Sequence, residues 1–370
     1  MIYGIEFIRF LLLIAVLIAH ASYLTGQTIP YRGDISIAVN FFFLIAGYFL
    51  YFEVQNKNIS FKNFVIKKII RLLPLCILSS LLHIILYYSG VIKQPFCFRH
   101  EFLNLLFIRD IGINNFGLLP KMEYGAWPTN THLWYLGPLF FGYIIIFYIF
   151  RNIKNKNLLF YISIFLYFGF LSYFQNKFLI IMGGFSRSII FMTIGYLFAI
   201  FIAWYKSRAE QSRAEQSRAE QSRAEQSRAE IYYDILFTII SIICLIEIFI
   251  NIFLKFQVID LQIYYTILFC ALLFCFIFNK GYLAKLLNNK LFGFMGKYSY
   301  SIYVMQWIVQ EIIANGNLVA STKIYSSFRI NHPITEYIFS FILIIIFGII
   351  SYYLWDKPLN KYLTKKFIKK

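Results

Sequence analysis

IEFIRFLLLIAVLIAHASYL, residues 5–24, is an apolar run that carries an arginine and a histidine. About 20 predominantly apolar residues cross a bilayer as a helix, so the run predicts a spanning helix. Few residues precede it and no small-residue cleavage site follows, which predicts an uncleaved first helix rather than a signal peptide. Ionisable groups inside a spanning helix are costly, and their presence marks a functional-site candidate. Arg9 and His20 stand eleven positions apart. Eleven steps of about 100° return to within roughly 20° of the start, so both side chains share one face, about 16 Å apart along it. A cation at one end and a titratable imidazole at the other suit an extended anionic ligand. For Arg9 alone, a snorkelling side chain at a helix end is sufficient explanation. For His20, a neutral imidazole bonded to a neighbouring helix is the other reading.

The rest of the chain is of the same kind. It is 60% hydrophobic and 21% aromatic, with a mean hydropathy of +0.66, whereas soluble domains are about 45–50% apolar. This predicts an all-α, polytopic membrane protein. About ten runs are long enough to span: 5–25, 35–54, 69–90, 132–150, 157–175, 186–205, 231–254, 259–279, 291–313 and 334–355.

The net charge of +18 is spread over the segments between these runs, which argues against nucleic acid as a partner and for the positive-inside rule. Lys57, Lys62, Lys67, Lys68 and Arg71 lie in one loop, Arg151, Lys154 and Lys156 in another, and Lys280, Lys285, Lys290 and Lys297 in a third; Lys357, Lys361, Lys365, Lys366, Lys369 and Lys370 crowd the tail. If ten spans alternate, all four regions fall on one side. The opposite loops balance Arg32 against Asp34 and Lys255 against Asp260. Both termini are thus expected in the cytoplasm, with Arg9 near the cytoplasmic end of its helix and His20 toward the outer side.

Five cysteines (Cys76, Cys97, Cys244, Cys270 and Cys275) have no metal-ligand spacing, so neither a metal nor a disulfide framework is expected. Three regions do not span. Residues 91–131 form a long outer loop, read equally well as a lid over a substrate cleft or as an ordered surface loop; residues 314–333 form a second. The third is a perfect repeat: SRAEQ four times from Ser207 to Gln226, then SRAE to Glu230. Its residues favour helix, but a five-residue period turns about 140° per copy, so no face stays apolar. The segment reads as a charge-neutral, solvated linker of dispensable length. The domain division is therefore 1–206 and 231–370, two parts of one membrane domain, joined by a cytoplasmic linker at 207–230.

Other polar residues add to the first helix. Lys67, Lys68 and Arg71 precede Pro74, with Lys68 and Arg71 on one face. Positive-inside placement accounts for them, and so does a phosphate clamp, in which arginine binds two oxygens and lysine acts as a point charge. Glu123, Tyr124, Trp127, His132, Trp134 and Arg187 lie on the predicted outer side. Aromatic residues also collect at membrane interfaces for purely physical reasons.

At this point the residues resemble a family. EFIRFLLLIAVLIAH (6–20) is similar to the opening of the acyltransferase 3 family of integral membrane acyltransferases, whose first helix carries an acid, an arginine three later, and a histidine eleven beyond. Further blocks follow in the family's order: VNFFFLIAGYFLYFE (39–53), FVIKKIIRLLPL (64–75), HLWYLGPLFFGYII (132–145), SRSIIFMTIGYLFA (186–199), GKYSYSIYVMQWIV (296–309) and DKPLNKYL (356–363). The departures are Ala46-Gly47-Tyr48 where the family has Ser-Gly-Phe, Lys68 for the usual Arg, Gln306 where many relatives carry His, and Leu139 where many carry Glu.

The resemblance implies transfer of an acyl group, commonly acetyl, from cytoplasmic acyl-CoA to a hydroxyl of a surface glycan or a lipid-linked saccharide. The setting it implies is the bacterial inner membrane, among membrane lipids. His20 would be the general base or an acyl carrier, since imidazole titrates near neutrality. Arg9, Lys68 and Arg71 would hold the CoA phosphates or the thioester end. Glu123, Tyr124, His132, Trp134 and Arg187 would face the acceptor. The competing reading is a transporter or flippase for a polyprenyl-linked saccharide. Loss of an acyltransferase removes an ester from the glycan; loss of a flippase removes the glycan.

Overall fold

Lipid offers a backbone no hydrogen-bond partner, so a chain so rich in apolar runs must satisfy its N–H and C=O groups inside helices. The computed structural model describes residues 2–24, 34–91, 98–108, 131–153, 157–164, 166–167, 183–216, 223–254, 261–315 and 333–368, and among these there is no strand. The helices are α1 (Tyr3–Leu24), α2 (Ser36–Gln55), α3 (Phe61–Tyr88), α4 (Phe98–Leu105), α5 (Leu136–Asn152), α6 (Gly183–Gln216), α7 (Arg223–Leu254), α8 (Leu261–Ile277), α9 (Tyr282–Leu287), α10 (Lys290–Lys297), α11 (Ser299–Asn315), α12 (Pro333–Ser351) and α13 (Lys357–Phe367). A 3-10 turn, Thr131–Tyr135, leads into α5, and a π-helical turn, Tyr352–Asp356, joins α12 to α13.

Seven helices among the described residues are long and apolar enough to cross a membrane, and all seven fall on expected spans. Ten spans are not established. Of the expected span 157–175, residues 165 and 168–175 lie outside the described residues. The span at 259–279 is a 17-residue helix. The span at 291–313 is broken at Tyr298, between an eight-residue α10 and a 17-residue α11.

The helices group into two units. The first comprises Met1–Val16, Tyr31–Tyr51 and Ile194–Ser299; the second comprises Leu17–Pro30, Phe52–Thr193 and Tyr300–Lys370. Within the first, small residues set the packing, as is usual where lipid supplies no hydrophobic drive. A Cβ on Gly195 of α6 would collide with the Leu44 carbonyl of α2, so the two backbones touch. Gly293 and Gly296 of α10 receive Tyr3 and Glu6 of α1 in the same way. Gly281 has φ +86°, a conformation open to glycine. It lets the start of α9 turn back on α7, where the Gly281 and Tyr282 amides donate to Asp234 Oδ1 at 3.0 Å and Thr238 Oγ1 at 2.7 Å. Asp234 also pairs with Lys285, which holds the lysine above its ordinary pKa.

The repeat continues the first unit's helices: α6 runs into it as far as Gln216, and α7 begins within it at Arg223. Ser207, Arg208, Glu210 and Gln211 are exposed, as the absence of an apolar face requires. Removing three copies is expected to leave the melting temperature unchanged in scanning fluorimetry, since a five-residue period offers no apolar face to pack.

In the second unit, Ser60 caps α3 by accepting from the Asn63 amide at 3.2 Å. Arg151, at the end of α5, donates to the carbonyls of Val54, Asn56, Lys57 and Ile59, closing the turn that enters α3. Pro74 interrupts the α3 hydrogen-bond ladder. Around it, Trp355 Nε1 donates to the Pro74 carbonyl at 2.8 Å and the Tyr300 hydroxyl donates to that of Leu72 at 2.5 Å. The closing Asp356-Lys357-Pro358 segment is thereby docked on the proline of α3.

Candidate functional site

His20 sits in the last turns of α1, half-buried, with Nδ1 inside the protein. The side chain that faces it is Gln306 of α11. Gln306 is fully buried, with its side chain within hydrogen-bonding reach of the imidazole. One turn later on α11, Gln310 donates to the Leu17 carbonyl at 3.4 Å, which fixes α11 against this end of α1. The position where many relatives carry histidine is thus an amide against the predicted base. An amide cannot take a proton near neutrality; it can orient the ring and hydrogen-bond to what the ring acts on.

The three predicted cations are each held by a carboxylate. Arg9, in the first unit, pairs with Glu6 through one Nη at 2.9 and 3.0 Å. Lys68 pairs with Glu53 of α2 at 2.6 Å, shares it with Lys67 at 2.7 Å, and lies 3.9 Å from the centre of the Tyr143 ring. Arg71 pairs with Asp356 at 3.2 Å, and Asn360 donates to the other oxygen of that carboxylate at 2.6 Å. Asp356 is 1% exposed while Arg71 is 49% exposed. Arg71 therefore neutralises a buried acid and still presents part of its guanidinium outward. Lys68, at 13%, is enclosed. The two share the N-terminal half of α3 but lean on different helices. Neither carboxylate partner was given a role in the sequence reading, although both lie in segments quoted there.

Of the predicted acceptor-side residues, Glu123 and Tyr124, with Trp127, lie outside the described residues. The His132 backbone belongs to the 3-10 turn before α5, and its side chain lies outside what is described. Trp134 is half-buried, and its ring lies against Gly184 at the start of α6, one turn before Arg187. Trp134 and Arg187 thus belong to packed neighbours. Tyr135, beside Trp134, meets Tyr303 of α11 edge-on at 5.8 Å.

A second polar group in this unit escaped the sequence reading. His83 of α3 and Glu311 of α11 are both fully buried, with Nε2 and Oε2 3.3 Å apart. Trp307 and Glu101 are the further neighbours acting on Glu311, and Glu101 of α4 accepts from Ser80 of α3 at 2.7 Å. His83 interrupts the apolar run ILSSLLHIILYY (77–88) much as His20 interrupts its own, so the argument that singled out His20 applied equally here. Cys76, Cys244, Cys270 and Cys275 are free thiols. Among the described residues, no group of three His, Cys, Asp or Glu side chains is placed to hold a metal ion.

Long apolar helices that bury ionisable side chains define a polytopic helical membrane protein. The chain matches the family model described as an acyltransferase domain over residues 2–353, nearly its whole length, and it belongs to that family: it is a membrane acyltransferase. No curated protein and no solved structure matches it.

Proposed function

We propose that the protein transfers an acyl group, commonly acetyl among relatives, from cytoplasmic acyl-CoA to a hydroxyl of a surface or lipid-linked saccharide in the bacterial inner membrane. The observation that carries this reading, beside the family, is His20: an imidazole inside a spanning helix, next to a buried amide and about 16 Å along that helix from Arg9. The imidazole takes the proton of the acceptor hydroxyl as its oxygen attacks the thioester carbonyl. The C–O bond forms, the C–S bond breaks, and the departing CoA thiolate recovers the proton. An extended pantetheine arm spans the distance from a cytoplasmic nucleotide to this base.

Arg9, Lys68 and Arg71 are the groups we assign to the CoA phosphates. Arg71 is the best placed, because its exposed edge can take a phosphate without abandoning Asp356. Lys68 would have to exchange Glu53 for the ligand. His132, Trp134 and Arg187, with Glu123 and Tyr124, are assigned to the acceptor side.

The test compares the surface glycans of a host strain with those of a strain lacking the gene. A loss of one acyl unit per repeat, read by mass spectrometry and restored on complementation, is the expected result. Glycan that disappears altogether reverses the reading in favour of a saccharide transporter.

A further inference from the structure

We propose that the groove between α3 and α13 holds one acyl chain of an anionic phospholipid, with the lipid phosphate on Lys62 and Lys366; such a site is independent of the acyl-transfer reading above.

Three observations carry it. The first is the groove itself, which has a volume of about 330 Å³. Ile66, Ile69, Leu73 and Ile77 of α3 form one wall, Leu359 and Leu363 of α13 the other, and no polar atom faces it. Water in such a space finds no hydrogen-bond partner, so hydrocarbon is the occupant it suits. The four α3 residues follow at three- and four-residue steps, which makes them one stripe of the helix. From Ile66 to Ile77 that stripe runs about 16 Å. One leaflet of a hydrocarbon core about 30 Å thick has about that depth, so the groove matches the length of one lipid tail.

The second observation is where the groove ends. Asp356, at the head of α13, pairs with Arg71, and Trp355 donates to the Pro74 carbonyl. The helix α13 therefore starts beside the middle of α3. Its far end, Phe367, still lines the groove, so α13 runs back along α3 toward Ile66. The loop-charge reading places this end at the cytoplasmic face. Two lysines flank the apolar stripe there. Lys62 precedes Ile66 by four residues and Lys366 follows Leu363 by three, so each continues the groove face of its own helix. Both are exposed. Among the described residues neither pairs with a carboxylate: Glu53 is taken by Lys67 and Lys68, and Asp356 by Arg71.

The third is charge. The helix α13 carries Lys357, Lys361, Lys365 and Lys366 and no acidic residue, and all four are exposed. Each lysine close to an anionic membrane surface strengthens its binding about fivefold. A free phosphate would leave the groove unfilled, and a lipid without net charge would gain nothing from the lysines. An apolar tail with a negative head satisfies both.

The experiment titrates the full-length protein in detergent with phosphatidylglycerol, or with phosphatidylcholine of the same chains, and reads bound lipid by native mass spectrometry. Phosphatidylglycerol is expected to bind about tenfold or more tighter than phosphatidylcholine. Lys62→Gln combined with Lys366→Gln should remove that advantage, a loss of about tenfold or more for two lysines. Ile69→Trp, which fills the groove, should weaken both lipids while the melting temperature holds. Leu363→Trp takes its place should Ile69→Trp fail to fold. Equal binding of the two lipids by wild type, or a phosphatidylglycerol preference that survives the lysine exchanges, overturns the headgroup site. Phosphatidylglycerol binding that survives filling of the groove assigns the lysines to diffuse surface charge and overturns the acyl-chain site.

Discussion

His20→Ala abolishes acyl transfer while the protein still reaches the membrane in folded form. General-base catalysis contributes about 10²–10⁴ in rate, so residual transfer falls to about a hundredth of wild type or less. The replacement removes an imidazole that is only half-buried and faces the neutral amide of Gln306, so the melting temperature moves little. Transfer of radiolabelled acetyl to the glycan, normalised to protein in the membrane fraction, measures the effect. His20→Gln refines it: an amide keeps the polar contact with Gln306 but cannot accept the proton, so it should be as inactive as alanine. Near-normal transfer by either variant removes His20 from the chemistry and leaves it as a packed polar residue.

Gly195→Ala produces the largest loss of stability expected from any single methyl group here. The added carbon would stand 1.9 Å from the Leu44 carbonyl oxygen and 2.9 Å from the Tyr48 amide nitrogen. Backbone cannot rotate aside as a side chain can, so α2 and α6 must separate and lose the contacts along their shared seam. Overpacking a tight core costs about 1–3 kcal/mol; a backbone collision belongs at or above the top of that range. Gly90→Ala is the control. Gly90, unlike Gly195, has a positive φ, +75°, and a Cβ there meets nothing within 4 Å, so its cost is the conformational one alone, about 1–2 kcal/mol. Melting temperatures and the monodisperse fraction in detergent should rank wild type, Gly90→Ala and Gly195→Ala in falling order.

These two residues mark what could and could not be read from the chain. His20 was legible because a histidine in an apolar run is anomalous by composition. Gly195 was not, because glycine in a membrane helix is ordinary until a neighbouring backbone is known to touch it. Helices showed themselves where hydropathy persists over a full span, as in α1, α2 and α3. They hid where packing intervenes: the run 291–313 is unbroken by hydropathy, yet Gly293 and Gly296 bring α10 against α1, and the helix stops at Tyr298. The site was half legible for a related reason. Lys68 and Arg71 stood out as a local cluster. Their partners did not, since Arg71 finds Asp356 across 285 residues and no spacing rule reaches that far. His83 and Glu311 were visible singly as anomalies, and only the fold pairs them.

The SRAEQ tract has a consequence at the level of the gene. Five residues are encoded by a whole number of codons, so gain or loss of one copy leaves the reading frame of α7 and everything after it intact. Perfect tandem repeats are also where a copying polymerase slips. A change of copy number would thus alter the length of the tract without truncating the enzyme.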